Sequence, residues 1–105
     1  MAARLKNQKI TPLPISAVTI TDKFWTPKLD TFRRVTVNDV LDKFEHERGR
    51  AVDNFDRVAR GERGTHFGYW FYDGQFYEAL RGAADFLAAK YDQELDKKLD
   101  VYIAR

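Results

Sequence analysis

The sequence contains no cysteine, and no apolar run in it is long enough to span a lipid bilayer. The missing cysteine excludes disulfides, thiolate metal sites and a cysteine nucleophile, and it agrees with a reducing compartment. The basic start Met1–Lys6 has no apolar stretch behind it, so it does not resemble a secretory signal. We therefore expect a cytoplasmic protein that has no membrane partner.

A charge excess of one sign is also lacking. Eighteen Lys and Arg residues face sixteen Asp and Glu residues, and the two signs are interspersed. Nucleic-acid-binding domains usually gather basic residues on one face, so we expect no nucleic-acid partner. At 105 residues the chain forms one domain at most, with room for a modest core.

The common catalytic and metal-binding motifs are absent too. There is no His-x-x-x-His, no Gly-rich phosphate loop and no Gly-x-Ser-x-Gly. The acidic group Asp53, Asn54 and Asp56 lacks the glycine and the final glutamate of a calcium loop. The residues by themselves thus predict no catalytic residue, no metal ligand and no cofactor in this chain.

The chain divides into an extended arm, residues 1–25, and a helical segment, residues 26–105. Pro12 and Pro14 disfavour helix in the arm, and the alternation in Val18–Thr21 suits a short strand. We interpret the pair Phe24–Trp25 as the anchor of this arm. The predicted fold class is mostly α.

Apolar residues at helical spacing predict four helices after the arm. The first begins at the N-cap Thr26, with Pro27 behind it, and ends near Gly49. The second helix is predicted at 51–60, with Gly61 as its stop, and its inward residues are Val52, Phe55, Val58 and Ala59. The third is predicted at 73–90 with Asp73 as N-cap, and the fourth begins after the cap Asp92. A short connection makes the last two an antiparallel helical hairpin.

The stretch Gly64–Tyr77 holds seven aromatic residues among fourteen. Such a cluster is either a stacking platform for a flat ligand or a buried plug, and for a chain of this size we expect most of it to be core. His66 is either a sugar ligand or a loop histidine bonded to backbone, and Asp73 is either a ligand or a cap. The candidate substrate-binding residues at a pocket rim are His66, Trp70, Asp73 and Gln75.

Four segments follow one another along the chain: Ile20–Leu29, Gly49–Phe55, Phe71–Leu80, and Ala83–Ala88 with Asp92–Leu95. In this order they resemble the catalytic domain of glycoside hydrolase family 127. The first is similar to the family's Phe-Trp-x-Pro-Arg/Lys-Leu, the second to Gly-Arg-Ile-x-Asn-Phe, the third to Phe-x-Asp-Ser-Asp-Val-Tyr-Lys-Trp-Leu, and the fourth to Ala-Ala-Tyr-x-Leu with Asp-x-Glu-Leu. Gly74, Gln75 and Ala79 depart from the third pattern, which indicates a divergent branch.

The resemblance implies the N-terminal part of an (α/α)6 barrel that hydrolyses terminal β-L-arabinofuranosides, or related sugars, with retention. It implies a carbohydrate substrate, a glutamate acid/base and a zinc-held cysteine nucleophile, all supplied by residues downstream of the matched region. Because those residues are missing from this chain, which stops after the first few helices, we expect an inactive fragment whose partner is the remainder of the barrel. The apolar-periodic pattern that continues to Arg105 fits either a truncated chain or a natural terminus with frayed residues. The alternative is a small independent helical module that binds a carbohydrate or a protein.

Overall fold

The computed structural model describes residues 10–46 and 50–105, and these ranges contain four α-helices and no strand. The mostly α fold class is confirmed. Helix α1 is continuous through Trp25–Thr31, Phe32–Thr36 and Val37–His46, and it is followed by α2 (Ala51–Ala59), α3 (Tyr72–Ala89) and α4 (Gln93–Ile103). Residues 1–9 of the predicted arm and Gly49, the predicted end of α1, lie outside the described residues.

The described part of the arm lies on the helices without joining a sheet. Ile15–Ala17 forms one 3₁₀ turn that contacts α3. Val18 is extended, but Val18–Thr21 has no partner strand in the described chain, so the predicted strand is wrong. The arm, α1 and the end of α3 enclose a largely apolar cleft of about 480 Å³. Phe24 and Trp25 are 60% and 50% exposed and contact each other edge to face, so they are not a buried anchor.

The N-terminus of α1 is capped by Asp22. Its Oδ1 accepts hydrogen bonds from the backbone N–H groups of Phe24, at 2.8 Å, and Trp25, at 2.6 Å. The predicted cap Thr26 is wrong, because its hydroxyl donates to the carbonyl of Ile20 and its residue is already helical. Pro27 still falls within the first turn, where a missing N–H costs nothing.

The middle of α1, Phe32–Thr36, is a π-helical stretch, in which the N–H of Val37 donates to the carbonyl of Phe32. The stretch ends in the β-branched residues Val35 and Thr36, which have a low intrinsic helix propensity. Packing holds the following part of the helix, where Leu41 has no exposed surface. Phe32 remains 42% exposed, so the apolar stripe of α1 is not buried along its whole length.

The core lies where the four helices meet. The Phe76 ring of α3 contacts Phe44 of α1, with centroids 5.7 Å apart, and Tyr102 of α4, at 5.5 Å. The buried residues are Leu41, Ala51, Val52, Phe76, Ala83, Leu95, Leu99 and Tyr102.

Only the first half of α2 faces this core. Val52 is buried and Phe55 packs against the core, as predicted. Val58 is 76% exposed and Ala59 is exposed, so the prediction that they face inward is wrong. They lie in the last turn of the helix, beyond its contacts with the core, and Gly61 at φ 72° follows as the predicted stop.

Helices α3 and α4 form the predicted antiparallel hairpin. The N-cap Asp92 is confirmed, since its Oδ1 accepts from the N–H groups of Glu94 and Leu95. The end of α4 meets the start of α3 through Tyr102 and Phe76. No helix in the described ranges combines the length and apolar character that crossing a membrane requires.

Candidate functional site

A cleft of about 210 Å³ opens between the first turns of α2 and α3 and the loop that joins these helices. Three of the four predicted rim residues line it, namely His66, Trp70 and Asp73. Gln75 lies on the exposed side of α3, outside the lining. The remaining lining residues are Ala51, Asn54, Phe55, Tyr69 and Tyr72. A role of these residues in substrate binding stays a prediction.

Most of the aromatic stretch is exposed, so the expectation that it forms core is wrong. Trp70 is 81% exposed and Tyr69 is 63% exposed. The Tyr69 and Phe71 rings stack at 5.5 Å with an interplanar angle of 2°, and Trp70 meets Phe71 edge to face. Of the seven aromatic residues only Phe76 is buried, whereas Phe67 and Tyr72 are half-buried and the remaining four are exposed.

The loop that carries this aromatic cluster is held by the side chain of Asn54 on α2. Its Nδ2 donates to the carbonyl of Phe67 at 2.9 Å, and its Oδ1 accepts from the N–H of Phe67 at 2.8 Å. One side-chain amide thereby satisfies both polar groups of one loop residue, next to His66. This role was not predicted, because Asn54 lies in the sequence between the acidic residues Asp53 and Asp56, and its loop partner is thirteen residues away.

Two arginines of the same helix face reinforce this hold. The guanidinium groups of Arg50 and Arg57 lie 3.9 and 4.9 Å from the centre of the Phe67 ring. Nη1 of Arg57 also donates to the carbonyl of Thr65 at 2.8 Å. Arg50, Asn54 and Arg57 are spaced i, i+4 and i+7, which puts them on one side of a helix. That spacing is the signal by which the loop-binding face could have been found.

The imidazole and the carboxylate of the cleft are available to a ligand. The side chains of His66 and Asp73 are exposed, and neither makes a hydrogen bond or ion pair with another described residue. The prediction that Asp73 caps α3 is wrong, since the N-cap residue is Phe71 and Asp73 lies in the first turn. A carboxylate there is still favoured by the helix dipole. Exposed aromatic faces beside an imidazole and a carboxylate suit a ligand with both apolar and hydroxyl surfaces.

The acidic group next to the cleft is occupied by structural contacts. Asp53 pairs with Arg50 at 2.6 Å, and Asp56 pairs with Arg105. The hydrogen bond from Arg105 lowers the pKa of Asp56 below its usual value, because the charged carboxylate is the better acceptor. Within residues 10–46 and 50–105, no group of three or more His, Asp or Glu side chains is arranged to hold a metal ion.

Most of the chain matches the model of a known protein family. The model of the beta-L-arabinofuranosidase, GH127 catalytic domain matches residues 17–105. The chain belongs to glycoside hydrolase family 127. The match confirms the resemblance to the N-terminal part of that catalytic domain and covers all four segments that carry it. Neither the curated proteins nor the solved structures gave a match.

Two of the segments that resemble family 127 meet at the cleft. Gly49–Phe55 contributes Asn54, and Phe71–Leu80 contributes Asp73. The aromatic residues that complete the lining, Tyr69 and Trp70, come from the loop between these segments. The cleft is thus the place where separate family-like segments and exposed polar side chains come together.

Proposed function

We propose that this chain is part of a glycoside hydrolase that acts on terminal β-L-arabinofuranosides or related sugars, and that its cleft binds the sugar. The observation that carries the proposal is the convergence of Trp70, His66 and Asp73 in one cleft of a family 127 chain. The indole face would cover the apolar side of the sugar ring, and the imidazole and carboxylate would bond its hydroxyl groups.

The size of the cleft agrees with a small ligand. At about 210 Å³ it lies somewhat below the roughly 300–1,000 Å³ of drug-sized pockets, as expected for one pentose ring. Tyr69 and Tyr72 add hydroxyl groups close to the aromatic faces. We propose these five side chains as a recognition surface, with no bond-breaking step assigned to them.

The chain's own residues do not fit the zinc–cysteine chemistry that the family resemblance implies. A zinc-held thiolate needs cysteine, and the sequence has none. We propose that any zinc of a full-length relative, together with the nucleophile and the acid/base glutamate, is held by other residues than those of this chain. The 105-residue chain alone is then inactive as a hydrolase.

The test is a titration with methyl β-L-arabinofuranoside. The chain has two tryptophans, so the background variant Trp25→Phe leaves Trp70 as the only indole emitter. We expect saturable change in the Trp70 emission, loss of that response in Asp73→Ala, and no effect of Tyr91→Phe, which lies away from the cleft. The same protein should release no p-nitrophenol from p-nitrophenyl β-L-arabinofuranoside. Absence of any saturable response, or turnover by this chain, would contradict the proposal.

We further propose that the partner of this chain is the remainder of the barrel. The described residues have a radius of gyration of 17.0 Å, against about 13 Å for a compact 105-residue domain. Several large apolar side chains are exposed along the helices, among them Phe32, Val35, Val101 and Ile103. Further helix pairs of a barrel would cover such surfaces.

The alternative, an independent helical module that binds a carbohydrate or protein, makes a different prediction for the isolated chain. A barrel part should bind a hydrophobic dye strongly while it is folded, because its apolar surfaces lack their partners. A module should elute as a monodisperse monomer that binds little dye. Size-exclusion chromatography with a dye-binding titration on the same sample distinguishes the two.

A further inference from the structure

The hydrogen bonds that Asn54 makes to Phe67 lie between the helical body and the candidate sugar site. Asn54 is half-buried in α2, and Phe67 is thirteen residues further along the chain, in the loop before α3. Without these bonds the loop would be tied to α2 chiefly by Arg57. The amide side chain of Asn54 is therefore the main hydrogen-bonded link, beside Arg57, between α2 and the loop residues that line the cleft.

We propose that Asn54 is a positioning residue for this cleft: it fixes the backbone at Phe67 and thereby sets where His66 and Trp70 lie relative to α2. The proposal rests on the proposed function for its sugar-binding part. Because His66 is directly bonded to Phe67, rotation of that peptide group would turn the imidazole. The chain turns sharply at Gly68, which has a φ of 74°, before it reaches Trp70. The position of the Phe67 backbone therefore determines the direction in which the chain leaves this turn towards the cleft.

Other contacts of the loop show that Phe67 is its fixed point. Its ring packs under the Arg50 guanidinium at 3.9 Å, and Arg50 is itself held by Asp53. Arg50 has φ 40°, the one positive φ of a non-glycine residue among the described ranges. Such a backbone conformation persists when its surroundings hold it, and functional sites are where it tends to occur. Asn54 is the member of this cluster that also lines the cleft.

The experiment measures the loop and the sugar separately. Loop position is read without sugar, from hydrogen exchange of the Phe67 amide and from acrylamide quenching of Trp70 in the Trp25→Phe background. In Asn54→Ala, we expect the Phe67 amide to exchange at least about tenfold faster, as loss of one good hydrogen bond implies. Trp70 quenching should change as well. The amide of Leu95, held by Asp92 at the far cap, serves as the internal reference and should not change.

Sugar binding is then titrated with methyl β-L-arabinofuranoside. We expect Asn54→Ala to weaken binding about tenfold or more, and Asn54→Asp to fall between it and the parent. The aspartate keeps the acceptor for the Phe67 N–H but loses the donor to its carbonyl. Asn38→Ala is the matched control: Asn38 also bonds a backbone carbonyl, that of Arg34, but lies on α1 away from the cleft.

Each outcome decides the proposal. Unchanged Phe67 exchange and Trp70 quenching in Asn54→Ala would overturn it, whatever the sugar does. A loosened loop with parental sugar affinity would overturn it as well, since the loop position would not govern the site. If the parent does not bind the sugar while the loop loosens, the proposed function fails and the positioning role stands. If Asn54→Ala does not fold, Asn54→Asp is judged by the same two loop readouts.

Discussion

The hydroxyl of Tyr102 offers the sharpest test of how the helices are joined. The ring is 6% exposed, and its hydroxyl donates to Glu45 on α1 at 2.8 Å. Tyr102→Phe removes this bond and keeps the ring contact with Phe76. A hydrogen bond to a charged group contributes about 1.5–3 kcal/mol. Because Glu45 retains its 2.6 Å bond from Arg105, we expect a loss of about 1–2 kcal/mol in the free energy of unfolding.

The pH dependence of that loss identifies its cause. Burial raises the pKa of Glu45. The hydrogen bonds from Tyr102 and Arg105, together with the charges of His46 and Arg105, lower this pKa by more than burial raises it, so the net shift is downward. A carboxyl group whose pKa is lower in the folded than in the unfolded chain stabilises the fold. This contribution is complete above the pKa in the unfolded chain, about 4.3, and it is lost as the pH falls through the pKa in the folded chain. The difference between the parent and Tyr102→Phe should be full at neutral pH and shrink below about pH 4.

Urea unfolding followed by circular dichroism, at neutral pH and at about pH 3, measures both effects. The matched control is Tyr91→Phe, since Tyr91 also donates to a carboxylate, Asp96 at 2.9 Å, from a ring that is 66% exposed. This control should stay within about 0.5 kcal/mol of the parent. A Tyr102→Phe loss no larger than that of Tyr91→Phe, or one that persists undiminished at acid pH, would refute the reasoning.

Two further comparisons use the same unfolding assay. Leu41→Ala should cost about 3 kcal/mol, because the side chain is fully buried and leaves a cavity, whereas Val58→Ala should stay within about 0.5 kcal/mol despite the inward position that periodicity gives it. Asp92→Ala should cost about 1 kcal/mol as the loss of a true cap, whereas Asp73→Ala, whose carboxylate bonds no backbone N–H, should cost at most about half as much. Equal losses within either pair would contradict the corresponding assignment.

The helices could be predicted from the sequence because apolar spacing and capping chemistry act locally. Asp92 shows this, since its side chain bonds the N–H groups two and three residues ahead. Local signals gave the wrong cap for α1, whose first residue is Trp25. Thr26 before Pro27 is the stronger local signal, yet Asp22 lies where the preceding turn brings its carboxylate to the free N–H groups.

The candidate site could be predicted only in part. Aromatic composition and exposed polar residues pointed to His66, Trp70 and Asp73, which do line one cleft. Which rings would be buried could not be predicted, because that depends on the core volume left by residues distant in sequence. The link between Asn54 and Phe67 spans thirteen residues, so neither local propensity nor periodicity reports it.

The π-helical stretch in α1 has a consequence for how the arm and the bundle are coupled. Each residue of a regular α-helix turns the chain by about 100° around the helix axis. A π-helical stretch holds about one residue more per turn, so it changes the direction in which the side chains before it point relative to those after it. Leu29 and Leu41 are twelve residues apart, which in a regular α-helix would put them about 120° apart around the axis. The wider turns of Phe32–Thr36 reduce this angle and bring Leu29, beside the arm, towards the side of α1 on which Leu41 meets the core. Deleting one residue from this stretch would leave a regular helix and an intact core. It would rotate the arm-facing side by about a quarter turn, so the length of this one segment sets the phase between the two parts of the molecule.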